Sequence, residues 1–499
     1  MELIANLGLG FETAFTLTNL MYCLIGVFLG TAIGVLPGLG PTATIAMLLP
    51  VTFGLPPIAS LIMLSGIYYG SQYGGSTTAI LVNLPGEAAS VVTALDGYQM
   101  ARQGRAGKAL AASAIGSFIA GTIATVLIAL FAPPLAEVAL KFGPAEYFSL
   151  MVLGLVVAVV LAQGSLLHAI GMVVLGLLFG LIGTDVNSGM ARFTFEMPQL
   201  ADGISFVIIA MGMFGLGEII NNIENEATRS VMVKKIEGLW PSKDDMKRII
   251  GPILRGTTLG SALGILPGSG SILGAFAAYS LEKRISKNKD QFGKGAIEGV
   301  AAPESANNAG AQTSFIPMLT LGIPSNPVMA LMIGAMILQG IQPGPSVITE
   351  QPQLFWGVIA SMWIGNFFLV ILNLPMIGLW VRMILVPYPL LYPAILVFCC
   401  IGVFSLNNAE FDIYMMAIFG VLGYVFAKLK CEPAPMLLGF ILGPLMEEYL
   451  RRALVLSRGD ASVFLTRPIS AVMLALSIVA IIVVLAPAVR KKRDAALQE

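Results

Sequence analysis

The chain has 499 residues, no net formal charge, 57% hydrophobic residues and only 11% charged ones. Soluble proteins carry about 25% charged residues, so this composition excludes a domain covered by water and points to lipid as the solvent. With zero net charge and no basic stripe interleaved with aromatics, nucleic acid is excluded as a partner.

The first hundred residues hold no Lys or Arg before Arg102, only Glu2, Glu12, Glu87 and Asp96. The opening stretch, MELIANLGLGFETAFTLTNLMYCL, has no basic n-region and does not read as a cleaved signal peptide. Apolar runs near the roughly 20 residues of a bilayer crossing follow along the chain. Examples lie at 110–132, 148–184, 355–380 and 468–488. They predict an all-α polytopic membrane protein of about 10 to 12 transmembrane helices. Basic clusters at 102–108, 229–255 and 283–294 belong on the cytoplasmic side by the positive-inside rule, with the amino terminus outside. Two more, at 451–458 and 490–493, flank a single span and cannot both lie inside, so the C-terminal orientation stays open.

The most polar internal stretch, 221–249, divides the chain into a first half (1–220) and a second (250–499) that carries additional C-terminal helices. GTAIGVLPGLG at 30–40 aligns without gaps on GSALGILPGSG at 260–270. A second pair follows in the same order: GSQYGGSTTAILVNLPGEA (70–88) and NNAGAQTSFIPMLTLGIPSNP (307–327). Matched Pro-Gly interruptions predict two repeated halves with broken or re-entrant helices, inverted or parallel according to the span count.

Irregular backbone inside a bilayer is tolerated only against protein or a water-filled cavity, because an unpaired N–H or C=O costs several kcal/mol there. Pro37 and Pro267 remove a donor, and the neighbouring glycines permit tight turns. Each break therefore ends one half-helix and starts another, whose N-terminus suits an anion. A simple packing kink is the alternative for one motif alone; the pairing across halves favours a site. The candidate substrate-binding residues are Gly38, Gly40, Thr42 and Thr44 at the first break, and Gly268, Ser269, Gly270 and Ser271 at its counterpart. Gly75, Ser76 and Thr77, with Asn307, Asn308, Gln312 and Thr313, supply the amides and hydroxyls of the second pair. Glu87, Glu304, Ser305 and Asn83 are ion-coupling candidates, since intramembrane ionisable groups are expensive. No organic cofactor is expected; a Na⁺ ion near Asn307, Thr313 and Ser314 is a candidate.

No Lys or Arg lies in the four interrupted stretches, so an anionic cargo would be met by helix ends and co-bound cations. Asp96 reads as a loop or capping residue, and His168, the only histidine, as a packing residue. One histidine with no Ser or Cys partner gives no His-based nucleophilic or zinc chemistry, and no enzyme is expected. The four cysteines have no metal or redox spacing and read as small apolar residues.

Four stretches carry a resemblance: GVLPGLGPTATIAMLLP (34–50), NLPGEAASVVTALDGYQMARQGRAGKAL (83–110), GAIEGVAAPESANNAGAQTSFIPMLTLGIP (295–324) and LQGIQPGP (338–345). The chain resembles the large membrane subunit of the tripartite tricarboxylate transporter family (TctA-like) over nearly its whole length. The resemblance implies a bacterial cytoplasmic (inner) membrane symporter for di- and tricarboxylates such as citrate, driven by a Na⁺ or H⁺ gradient. It implies two partners, a small membrane subunit and a periplasmic solute-binding protein. The chain departs from the family pattern at Ile323-Pro324-Ser325, where Ile-Pro-Gly is usual, which bears on substrate identity. A gated anion channel without coupling is the alternative, as channels also use broken helices around a pore.

Overall fold

In the computed structural model of the chain, residues 2–485 are described except 37–38, 85, 163–164, 186–187, 225–237, 267–269, 385 and 387. Helices make up nearly all regular structure among them; the single β element is a two-stranded hairpin, Gly183–Thr184 with Ala191–Arg192. The protein is an all-α polytopic membrane protein. Five helices are long and apolar enough to cross a bilayer by themselves: Leu17–Gly34, Ala106–Ala139, Pro352–Asn373, Glu410–Lys428 and Pro468–Leu485. Between them, several shorter apolar helices are joined at interruptions inside the bundle.

Nine helices position the site. In chain order they are α1 (Leu17–Gly34), α2 (Pro41–Phe53), α3 (Pro57–Val82), α4 (Ser90–Arg102), α5 (Ala106–Ala139), α6 (Lys243–Gly264), α7 (Gly270–Ile285), α8 (Glu298–Thr313) and α9 (Pro327–Leu338). Local chemistry sets their boundaries. The Thr16 hydroxyl accepts from the Asn19 amide to start α1, and Ser242 with Asp245 forms a capping box on α6. Pro41 sits at the start of α2, where its missing N–H costs nothing.

Polar contacts bring three of the basic clusters to one end of the bundle. There Gln103 Nε2 donates to the Lys294 carbonyl at 2.7 Å, Lys108 pairs with Asp245 at 2.8 Å, and Arg248 pairs with Glu298 at 2.8 Å. From this basic end, α5 runs 34 residues, about 50 Å, to the opposite one. Tyr147 there stacks on Tyr449, with ring centroids 4.9 Å apart. The 451–458 cluster therefore lies opposite the other three. Arg451 is held by Asp185 and Glu447, and Arg452 by Glu448, so no bare positive patch results. Residues 490–493 lie outside the described residues.

α1 and α3 run side by side toward the basic end, and α6 and α8 run side by side away from it. Each pair is sealed by small residues four apart. A Cβ on Gly26, Gly30 or Gly34 would collide with the backbone carbonyl of Met63, Ile67 or Ser71. A Cβ on Gly256, Gly260 or Gly264 would meet the carbonyl of Ala302, Ala306 or Gly310 in the same way. The positions keep step along both pairs, and this backbone contact is how small residues join helices in lipid.

α1–α2 and α6–α7 are two hairpins entering from opposite ends. The return arm α2 has 13 residues and rises about 20 Å, short of the roughly 30 Å hydrocarbon core. Its tip therefore lies inside the bilayer. Across the second hairpin, Arg255 grips Glu282 through two bonds of 2.5 and 3.0 Å, and Glu282 is 1% exposed. Arg255→Ala is expected to lower the thermal midpoint by a few degrees, and adding Glu282→Leu to recover most of it. The loss comes from stranding a buried carboxylate; equal midpoints for the single and double variants would contradict this account.

The interruptions are narrower than the sequence reading placed them. Residues 70–82 stay helical within α3, and 307–313 within α8, despite their Gly, Ser and Thr content. Helix survives because the hydroxyls of Ser76, Thr77 and Thr313 donate to carbonyls four residues back, while the small residues admit a neighbouring backbone. The breaks proper begin at two left-handed caps, Asn83 (φ 58°) and Gly322 (φ 69°). Asp96 is no loop residue: it is fully buried and accepts from the Gly295 and Ala296 amides, both at 2.8 Å, and from the Tyr279 hydroxyl. It ties α4 to the segment before α8. His168 stands exposed on the outer face of Leu166–Gly180, where it packs against no core.

Candidate functional site: a cavity where four helices begin

The two hairpin tips and the two later breaks meet at one cavity of about 470 Å³. Four helices start at its wall: α2 with Gly40 to Ala43, α7 with Ser271 and Ile272, α9 with Asn326 to Val328, and Ala434–Leu456 with Pro433 and Ala434. Each start offers N–H groups without intrahelical partners and roughly half a positive charge. No side chain caps the start of α2 or of Ala434–Leu456; the start of α9 is capped by Asn326, whose Oδ1 accepts from the Met329 amide at 2.9 Å. Two larger cavities, of about 610 and 750 Å³, contain neither hairpin tip.

The charged side chains on the cavity wall are all acidic: Glu87, Glu218 and Glu432. Among the described residues no Lys, Arg or His lines it. Positive potential there comes from backbone alone.

Behind the wall lies a polar layer joining both sides of the molecule. Glu304, fully buried on α8, accepts from Ser76 Oγ at 2.6 Å, Thr93 Oγ1 at 2.9 Å and Asn308 Nδ2 at 3.2 Å. Asn307 donates through Nδ2 to Glu87 and to Gln72 Oε1. Its Oδ1 is buried and has no hydrogen-bond partner. Aligning the left-handed caps Asn83 and Gly322 sets Glu87 against Asn326 and Tyr68 against Asn307. The contacts obey that correspondence: Glu87 reaches Asn307 on α8, and Asn326 Nδ2 donates to the Tyr68 hydroxyl on α3 at 3.4 Å.

Of the residues singled out from sequence, Gly40, Thr42, Ser271 and Glu87 line the cavity. Gly75 packs against Gly86 and Glu87, and Ser76, Glu304 and Asn307 form the layer behind. Gly38, Gly268 and Ser269 lie outside the described residues. The others point elsewhere. Thr44 Oγ1 returns to the Gly40 carbonyl, Thr77 to Tyr73 and Ser305 to Ala301. Gln312 accepts from Thr125 on α5 and Gly270 is buried against Leu263, while Asn308 belongs to the layer through Glu304 and also donates to Ser117. Asn83 is an exposed cap. Of the oxygens expected to share a cation, the Thr313 and Ser314 hydroxyls donate to the Ala309 and Ala311 carbonyls of their own segment. Ser325 at the departing Ile-Pro-Ser is turned into the protein, 3.3 Å from the Ser314 carbonyl, and adds nothing to the cavity wall.

Sequence reasoning missed Gln72, Tyr68 and Thr93, which carry no break signal, and Glu218 and Asn326. Asn326 was findable as the residue opposite Glu87 in the second alignment. Glu218 follows a π-helical turn, Met211–Leu216, a feature frequent at functional sites and invisible in composition.

The profile of the tripartite tricarboxylate transporter TctA family matches residues 20–438. An uncharacterised 52.8 kDa protein in the TAR-I ttuC' 3' region of Agrobacterium vitis is 63% identical over 494 residues, covering 99% of this chain and 98% of the relative. An uncharacterised protein in the TAR-II ttuC' 3' region of the same organism is 65% identical over 235 residues, 47% of this chain and 97% of the relative. No solved structure matches the chain.

Proposed function

Because the chain belongs to the tripartite tricarboxylate transporter TctA family, we propose that it is the translocating subunit of an ion-gradient-driven importer of di- and tricarboxylates. The family is one of transporter subunits, not of enzymes. In this reading the subunit sits in a bacterial inner membrane beside a small membrane subunit, and a periplasmic binding protein hands it substrate. The observation that carries the carboxylate assignment is the convergence of four helix starts on one cavity with no basic side chain among the described residues. Oxygens of the cargo would be held by backbone N–H groups, the usual anion chemistry of a helix N-terminus.

The acidic wall supports coupling to a cation. Glu87 and Glu304 are held by neutral donors, and the Asn307 carbonyl oxygen between them lacks a partner. Carboxylates without a cation are costly in a bilayer interior. A Na⁺ ion or proton taken up at Glu87, with Glu304 in the layer behind, would neutralise the cavity-facing carboxylate as an anion loads. We read the two hairpins, the paired glycine seams and the matched left-handed caps as an inverted repeat, with halves at 1–220 and 250–499 joined through 221–249. One half would rock against the other around the shared cavity.

The test is accumulation of ¹⁴C-citrate, succinate and malate in proteoliposomes holding the subunit with its small membrane partner, fed by the binding protein. Uphill uptake of one of them, abolished when the Na⁺ and proton gradients are collapsed, is the expected result. Flux that only runs downhill would assign a gated channel instead.

A further inference from the structure

Glu218 belongs to neither hairpin. It sits on the short helix Gly217–Glu224, which packs against Glu410–Lys428 with Gly217 close to the Gly420 carbonyl and to Gly423. From there its side chain enters the same cavity wall as Gly40 to Ala43 of the first hairpin, with its carboxylate near the Gly40 backbone. Gly40 is the N-cap residue of α2, a start with no side-chain cap and the place where an anion is best held. Glu218 has no ion pair among the described residues, and the uncapped start of α2 shares its cavity.

A helix start that faces a cavity inside a bilayer is best served by an anionic acceptor, because its free N–H groups and dipole favour negative charge. A carrier, however, must also stand empty on part of its cycle. We propose that Glu218 is a resident carboxylate that occupies the start of α2 in the empty carrier and is displaced by a carboxylate of the cargo. The exchange keeps the hairpin tip supplied with an anionic acceptor in both states. It also makes Glu218 a specificity-determining residue, since only a ligand presenting a carboxylate of matching reach replaces it. The π-helical turn at Met211–Leu216 directly precedes this helix, a feature frequent at functional sites.

This inference rests on the carboxylate-transport reading, and the experiment separates the two. The full-length subunit, purified with its partner in detergent, is titrated with citrate, succinate and malate while its thermal midpoint is followed. Glu218→Ala removes the competitor, so the half-saturating concentration of the bound carboxylate is expected to fall roughly 10-fold, about 1.4 kcal/mol. Glu218→Gln, the same size without charge, should fall between wild type and Glu218→Ala, and its unliganded midpoint reports whether the site still folds. Acetate should inhibit ligand binding in Glu218→Ala, by filling the vacated place, far more than in wild type. Unchanged or weaker binding in both variants, with no new sensitivity to acetate, overturns the assignment of Glu218 alone. Failure of every carboxylate to shift the midpoint of wild type and variants alike overturns the transport reading beneath it.

Discussion

Uptake is expected to fall roughly 100-fold in Asn307→Ala while the amount of protein in the membrane stays near wild type. That loss equals about 2.7 kcal/mol, within the range for stranding a buried charged acceptor. Asn307 is the donor that reaches across from α8 to Glu87, and its second acceptor is Gln72 on α3. Removing it leaves a cavity-facing carboxylate unsupported but opens no large void. Asn308, its neighbour, is expected to behave differently. Its amide joins α8 to Ser117 on α5 and supplies one of three donors to Glu304. Asn308→Ala should cost about 1–2 kcal/mol of stability and leave uptake per folded molecule within about threefold of wild type. Uptake kinetics beside thermal midpoints decide the matter: equal effects at both positions would merge them into one structural role.

Gly30→Leu and Gly260→Leu are each expected to remove most folded protein from the membrane. The carbonyl of Ile67 occupies the space of a Cβ at Gly30, and the carbonyl of Ala306 does so at Gly260. Backbone cannot give way as a flexible side chain can, and the whole seam must part to admit four carbons. Overpacking of ordinary cores costs about 1–3 kcal/mol; here the obstacle is main chain on a rigid helix, so the upper end or more applies. Abundance by quantitative blot, with fluorescence-detected gel filtration, is the measurement. Gly8→Leu, where nothing lies within 4 Å of the added Cβ, serves as the tolerated control. Normal abundance of Gly30→Leu would mean that the two helices do not approach as described.

The class of the fold and the place of the hairpins were legible in the sequence for one reason. Proline and glycine in the middle of apolar runs have few uses in lipid, and both Pro-Gly motifs do separate one helix from a short return arm. The same logic overreached at 70–82 and 307–313. Hydroxyl-rich helix is indistinguishable from broken helix in composition, because what keeps it helical is the i−4 carbonyl and a close neighbouring backbone. Candidate residues separated by direction rather than type. Thr42 faces the cavity and Thr44 its own helix, two positions apart on the same turn. Glu304 was found as an intramembrane acid, but its three donors come from α3, α4 and α8, a convergence no linear pattern reports. The basic cluster at 451–458 left its orientation open for a related reason: the acids that neutralise it, Asp185 and Glu447 among them, are brought in by the fold.

The depth of the hairpin tips has an electrical consequence. A charge seated between two tips that enter from opposite faces has crossed only part of the transmembrane voltage, which is worth about 2.3 kcal/mol per elementary charge per 100 mV. With backbone dipoles as the positive wall among the described residues, the current carried per cycle of the proposed mechanism would follow from the cations loaded minus the carboxylate charges they accompany. Under the proposed coupled mechanism, whether the membrane potential assists or opposes uptake would be decided by how many cations board with each anion, and so by the same acidic layer.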